Sequence, residues 1–176
     1  MSALHTSLEI IYKLFPAKPT LQVGFPYVDV LKLPMKIFHG AKLITEENCA
    51  DIELEIKRIN PSALIIELPS NPMLKCVNIK KISKIAKKLN IPLIVDDTIG
   101  SNLNINSIEH ADIVFTSLTS LGTKFTLVCP YVLLAHYDEL DWAESFGIPS
   151  HLIRVSVGLE DQDQLWKTFS EALNNF

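Results

Sequence analysis

Two periods divide this chain: short apolar runs alternate with longer stretches in which apolar residues recur every three or four positions. The clearest run is Ile91-Pro92-Leu93-Ile94-Val95, which leads into Asp96-Asp97-Thr98 and ends at Gly100. A continuous apolar run bounded by turn residues predicts a strand buried on both faces. Ahead of it, residues 78–90 set Ile79, Ile82, Ile85, Ala86 and Leu89 at helical spacing with lysines between them, the pattern of a helix with one buried stripe. Helix then buried strand is half of a right-handed parallel crossover. Ligands of such sheets sit outside the carboxyl ends of the strands, where Asp96 and Asp97 are expected. A carboxylate there can pair with a cationic ring nitrogen, a metal or a substrate ammonium. Two acids in that place can equally cap the next turn.

The rest of the chain repeats the pattern. Residues 2–15 carry Leu4, Leu8, Ile11, Leu14 and Phe15 on one helical stripe, ended by Pro16 and Pro19. Residues 21–25 predict a strand, Gly24-Phe25-Pro26-Tyr27 a turn, and 36–45 a short strand pair or a loop. Residues 46–59 predict a second amphipathic helix, offering Ile52, Leu54, Ile56 and Ile59 to the core. A strand at 62–68 runs into Pro69-Ser70-Asn71-Pro72, whose prolines forbid helix and open a loop. One more strand is expected at 111–117. Strands and helices thus alternate, which argues α/β with a mainly parallel sheet. After Ser117 the character changes: a loop to 126, an aromatic-rich helical stretch at 131–146, an alternating strand at 151–157, and a helix from 161 to the end. Asp161 and Gln164 give that helix a capping-box-like start. A boundary is therefore expected near residue 120, separating 1–119 from a smaller α/β layer at 120–176.

Composition narrows the function classes. One hundred and seventy-six residues with 48% hydrophobic content can bury a real core. The net charge of −4 without a basic run argues against a nucleic-acid partner. No apolar run approaches the roughly 20 residues that cross a bilayer, and the first residues lack a basic stretch ahead of an apolar one, so neither membrane nor signal peptide is expected. Cys49, Cys76 and Cys129 are odd in number and lack metal spacing, as do the five histidines. A soluble, cytoplasmic protein with free thiols and no metal is the expectation.

Four motifs then come in a telling order: Pro69-Ser70-Asn71-Pro72, Val95-Asp96-Asp97-Thr98, Ala111-Asp112 with Ser117-Leu118-Thr119, and Leu152-Ile153-Arg154-Val155-Ser156-Val157-Gly158-Leu159-Glu160. Together they resemble the Cys/Met-metabolism pyridoxal-phosphate enzymes, most closely the fungal cystathionine γ-synthase-like branch. The resemblance implies a type I pyridoxal-phosphate transferase fold, with a large cofactor domain (in part, 1–119) and the remnant of a small C-terminal one (120–176). It also implies an amino-acid substrate and oligomers whose subunits share active sites. By position, Asp96 is similar to the acid that pairs with the pyridine nitrogen, keeping the ring an electron sink. Ser117 and Thr119 fall where family hydroxyls bind the cofactor phosphate. Met1 and Ser2 resemble the tail of the phosphate loop at a helix N-terminus, which favours an anion. Asn71 matches a loop asparagine near the cofactor. Arg154 matches the arginine that grips the substrate carboxylate, a task suited to its planar fork. The ring-stacking aromatic falls at Val23, a departure, with Tyr27 close but out of register.

The larger departure is at residue 120. In the family, Ser-x-Thr is followed at once by the lysine that carries the cofactor covalently; here Ser117-Leu118-Thr119 is followed by Ser120. A serine hydroxyl cannot replace an amine in that bond. Ser120-Leu121-Gly122 instead resembles a downstream element that helps hold the substrate carboxylate, so an internal deletion joining Thr119 to Ser120 is expected. Lys124 belongs to that downstream register and is a weak replacement. The N-terminus, beginning inside the phosphate loop, reads as truncated. Three readings stay open: a γ-replacement or elimination catalyst, a non-catalytic cofactor- or partner-binding pseudoenzyme (alone or in an oligomer with a full-length relative), and a truncated gene product. The residues present favour a catalytically inactive chain.

Overall fold

A computed structural model describes residues 2–45, 48–117, 125–135 and 137–175, and the chain forms two compact units, Met1–Leu118 and Thr119–Phe176. The first is built on a parallel sheet of five strands: β1 (Thr20–Val23), β2 (Ala41–Ile44), β3 (Leu64–Glu67), β4 (Leu93–Asp96) and β5 (Ile113–Phe115). Their spatial order is β2-β1-β3-β4-β5. Helices α1 (Ser2–Leu14) and α2 (Val28–Ile37) cover one face, and α3 (Cys49–Ile59) and α4 (Ile79–Lys88) the other; α5 (Ser101–Asn104) is a single turn after β4.

Side chains of a strand alternate between faces, and both faces here are apolar. Leu21, Val23, Leu64, Ile66, Leu93 and Val95 pack with Ile52 and Ile56 of α3 and Ile82 and Ala86 of α4. Ala63, Ile65 and Ile94 point the other way, against Leu4, Leu8 and Ile11 of α1 and Val30 of α2. Each large aliphatic side chain so buried is stabilising by roughly 1.5–3 kcal/mol. The expected strands and the lysine-rich helix at 78–90 lie where the pattern puts them. Leu54 does not: it is 62% exposed, because Ile52 and Ile56, with Cys49 and Ile59 beside them, form the face turned to the sheet.

Helix α2 lies mostly in the stretch the pattern leaves unassigned, between the turn at 24–27 and the strand pair or loop at 36–45, where the single strand β2 forms. Pro34 in the helix interior explains why the pattern does not predict it. A proline has no N–H for the carbonyl four residues back. The carbonyl left over, that of Val30, accepts instead from Gln22 Nε2 of β1 at 2.8 Å. A side chain from the neighbouring strand thus supplies the bond that the helix cannot.

The chain winds outward from β1 to β2, then returns past β1 to β3 and continues to β5. The strand order reverses between β1 and β3, and the crevice beyond their carboxyl ends is the usual ligand position of such sheets. Gly100 lets two loops meet at that edge. A Cβ on it would lie 2.9 Å from the Leu68 carbonyl oxygen and 2.9 Å from Pro69 Cδ.

The second unit holds an antiparallel pair, β6 (Leu127–Cys129) and β7 (Arg154–Ser156), with α6 (Tyr131–Ala135), a 3-10 turn (Tyr137–Glu139), α7 (Leu140–Ser145) and α8 (Gln162–Asn174). The stretch expected as one helix over 131–146 is therefore broken, and Tyr137 within it is exposed. Asp161 caps α8, its Oδ1 accepting from the backbone N–H of Asp163 and Gln164 at 3.1 Å each. The Gly158-Leu159-Glu160 motif has a local purpose. Glu160 accepts from the Thr126 backbone N–H and hydroxyl, while Gly158 N–H donates to Thr126 Oγ1 at 2.8 Å.

Candidate functional site

β3 and β4 end alike, Leu64-Ile65-Ile66-Glu67 and Leu93-Ile94-Val95-Asp96, and the two acids are register partners. Neighbouring strands run about 4.8 Å apart, so paired residues send their side chains side by side to one face. For Glu67 and Asp96 that face is the one covered by α1 and α2, since Ile65 and Ile94 already lie on it. Both acids are buried, at 6% and 5% exposure.

Each has a distinct set of donors. Glu67 Oε2 accepts the Tyr27 backbone N–H at 2.8 Å, a bond that spans the β1/β3 crevice. Asp96 Oδ1 accepts from Thr98 twice, from its backbone N–H at 3.0 Å and its hydroxyl at 2.5 Å. Thr98 Oγ1 in turn accepts the Ser117 backbone N–H at 2.9 Å. A hydroxyl has one hydrogen to give, so this relay runs one way, from Ser117 through Thr98 to Asp96. Asp96 therefore does close a local turn, as the turn-capping reading has it, yet it also stands at the sheet edge.

Burial dominates the electrostatics. It pushes the Glu67 carboxyl up to about 8, and the Asp96 charge beside it adds to the rise. Burial also raises Asp96, against the two Thr98 bonds that favour its charged form, with Asp97 adding to the rise. Asp97, buried as well, is raised for the same reason, with a bond from Thr116 opposing. Removing a carboxylate from water disfavours the charge unless donors replace the water.

Of the sequence-predicted residues, three share the carboxyl edge: Asp96 ends β4, Asn71 lies buried in the loop after β3, and Ser117 follows β5. Ser2 opens α1. The far end of α1 is tied to the amino edge, where Ser62 Oγ donates to the Pro16 carbonyl and accepts the Lys18 N–H. The opening turn of α1 consequently faces the carboxyl edge. Met1, Thr119, Ser120 and Lys124 lie outside the described residues. Arg154 belongs to the second unit, on β7, with its guanidinium 4.5 Å over the Tyr131 ring.

One placement is overturned. Val23 cannot mark a ring-stacking position, because its side chain is buried in the core on the α3/α4 face, opposite to Asp96. Tyr27, 42% exposed and tied through its backbone to Glu67, is an aromatic that does stand at this edge. Glu67 itself was missed, although an acid closing an apolar run is the signal that marked Asp96. Among the described residues no group of three His, Cys, Asp or Glu could hold a metal ion, and no helix is long and apolar enough to cross a membrane.

Comparison with known proteins fits this edge. The model of the Cys/Met metabolism PLP-dependent enzyme family matches residues 33–126, which hold Asn71, Asp96, Thr98 and Ser117. A cystathionine γ-synthase of Saccharomyces cerevisiae is 32% identical over 74% of this chain. The chain belongs to this family. Another relative, a cystathionine γ-synthase of Neurospora crassa, is 25% identical over 88% of the chain. The chain spans 46% of the Neurospora protein and 23% of the yeast one, so it matches about half of these relatives' length or less. The crystal structure of metB from Corynebacterium glutamicum shares the fold, with a TM-score of 0.60 over 68% of this chain and 31% of its own, at 22% identity. Family membership accounts for the α/β sheet.

Proposed function

We propose that this chain is a cystathionine γ-synthase-like member of the family that keeps cofactor contacts but lacks the means of turnover. The observation that carries the first half is the relay from Ser117 through Thr98 to Asp96. It holds a buried carboxylate by one oxygen and favours its charged form, which suits the protonated nitrogen of a pyridoxal phosphate ring. When bound, that cofactor supplies an electron sink for reactions at the substrate α-carbon. On this reading Asp96 would keep a proton at the ring nitrogen, and Tyr27, rather than Val23, would be the aromatic available to the ring. Asn71 borders the ring, and Ser117, Thr119 and the start of α1 with Met1 and Ser2 meet the phosphate. The role of Arg154 and Ser120 as contacts to the carboxylate of an amino-acid substrate rests on motif position alone.

The second half rests on sequence. Ser120 stands directly after Ser117-Leu118-Thr119, and no hydroxyl can form the covalent link an amine forms. The alignment to the Neurospora protein supports an internal deletion, because it runs over 288 residues, more than this whole chain contains. It must step over a long stretch of the relative. A chain so shortened binds the cofactor without covalent attachment, alone or beside a full-length relative, and does not turn over homoserine esters or cystathionine.

The test is to titrate the full chain with pyridoxal phosphate, reduce with borohydride, digest and map lysines. Saturable binding that weakens in Asp96→Asn, with no lysine stoichiometrically modified, is the expected result. A stoichiometric pyridoxyl-lysine, on Lys124 above all, together with γ-replacement activity, would overturn the reading. Sequencing the transcript across codons 119 and 120 separates a genuine deletion from a missing exon.

A further inference from the structure

The geometry points to a role for Glu67 that neither family resemblance nor the relay supplies. We propose that Glu67 and Asp96 act as one unit of two carboxyls and one proton, in which Glu67 holds the proton and Asp96 the charge. Glu67 is then a positioning residue for that charge. The idea deepens the cofactor reading by naming what keeps Asp96 ionised, but its test needs no cofactor.

Two buried carboxylates on register-paired strands cannot both stay charged at close range. The bonds decide where the proton goes. Asp96 Oδ1 is occupied as an acceptor by two Thr98 donors, and the Thr98 hydroxyl is committed to it because Ser117 fills the acceptor side of that hydroxyl. This arrangement favours the carboxylate form of Asp96. Among the described residues Glu67 has no hydroxyl donor of this kind; its Oε2 accepts a backbone N–H from Tyr27, and the Asn71 N–H adds a second backbone contact. Those bonds are outweighed by burial and by the Asp96 charge. The covering helices bring His5, Glu9 and Lys13 on α1 and Asp29, Lys32 and Lys36 on α2, and β1 brings the neutral Gln22. His5 and Glu9 approach each other at 4.0 Å. The charge acting on Glu67 is that of Asp96.

A second consequence is mechanical. Glu67 also fixes the Tyr27 backbone, so the residue that takes the proton anchors the turn after β1. Charge placement and loop placement are coupled in one side chain.

The experiment is infrared spectroscopy of the full chain without ligand, from pH 5 to 9, with thermal melting in parallel. A protonated-carboxyl band present at pH 7 should fade near pH 8. It should be absent in Glu67→Gln, and its midpoint should fall in Asp96→Asn. The folded chain holds the Glu67 proton more tightly than the unfolded chain does. Stability is therefore full below about 4.5 and is lost progressively as pH rises to about 8. Glu67→Gln should remove that loss and melt above wild type at pH 8. A wild-type chain with no such band at pH 7 would sink the proposal. So would a band that vanishes in Asp96→Asn and survives in Glu67→Gln, or a midpoint that Asp96→Asn leaves unmoved. If Glu67→Gln fails to fold, the wild-type and Asp96→Asn titrations still decide. Failure of pyridoxal phosphate to bind would count against the proposed function and leave these readouts intact.

Discussion

Every residue of β1, β3 and β4 is buried, whereas β6 and β7 contain no buried residue. The two units therefore use apolar residues differently. In the first, a parallel sheet is covered on both faces, so each position of a short strand finds a partner whichever way it points. In the second, the buried apolar residues among those described are Tyr131, Val132, Ala143 and Ile148, none of them on the two strands, while Leu134, Leu159, Trp166 and Leu173 stay exposed. Two strands alone are marginal in water, and apolar surface left open invites association. The lesson is that similar sequence patterning specifies a self-sufficient core only where enough layers exist to close it.

The contrast can be tested by ranked substitutions in the full chain. The largest effect is expected from Ile66→Ala, which empties a fully buried site and should cost about 2–5 kcal/mol. Its counterpart Leu134→Ala, on exposed surface, should stay within about 0.5 kcal/mol. Denaturant midpoints read both, and equal losses would break the comparison. Next comes Gly100→Ala. Its new methyl meets the Leu68 carbonyl oxygen and Pro69, so about 1–3 kcal/mol should be lost as the two edge loops are forced apart. An unchanged melting temperature would show that the loops give way freely.

Thr98→Val sharpens the site rather than the core. It removes the hydroxyl that both donates to Asp96 and accepts from Ser117, which should cost about 1–3 kcal/mol and raise the Asp96 carboxyl further. Pyridoxal phosphate affinity at neutral pH should fall with it; retained affinity would remove the relay from the site. Below Thr98→Val and above Leu134→Ala comes a helix cap. Asn78 Oδ1 accepts the Lys81 N–H at 3.1 Å at the start of α4, so Asn78→Ala should cost about 1 kcal/mol. A loss larger than that of Thr98→Val would invert the ranking and show that α4, not the carboxyl edge, is the weak point.

Much of this was legible beforehand. Helix α4 and strands β3, β4 and β5 follow from spacing alone, since apolar runs and helical stripes are local properties. Asp96, Asn71 and Ser117 could be placed at one edge because a parallel sheet collects the carboxyl ends of its strands. Helix α2 was not legible, because Pro34 argues against it and the compensating donor, Gln22, lies on another strand. Strand β6 was too short for its alternation to stand out. Val23 was assigned by motif position, and only the face on which its side chain lies shows that assignment to be untenable.

What the residue order determined by itself is therefore local and periodic: which segments are strands or helices, and that an acid follows each of two apolar runs. That Ser120 directly follows Ser117-Leu118-Thr119 is likewise a fact of the sequence. The tertiary structure alone decided which acids are neighbours. Glu67 and Asp96 stand twenty-nine positions apart, and no periodicity links them; only the β3–β4 register sets them side by side. It also decided their environment, since burial and the direction of a hydroxyl hydrogen depend on groups brought from β5 and from the turn after β1. Chemistry that depends on a shared proton is a property of that proximity, and proximity across strands is what a linear pattern cannot carry.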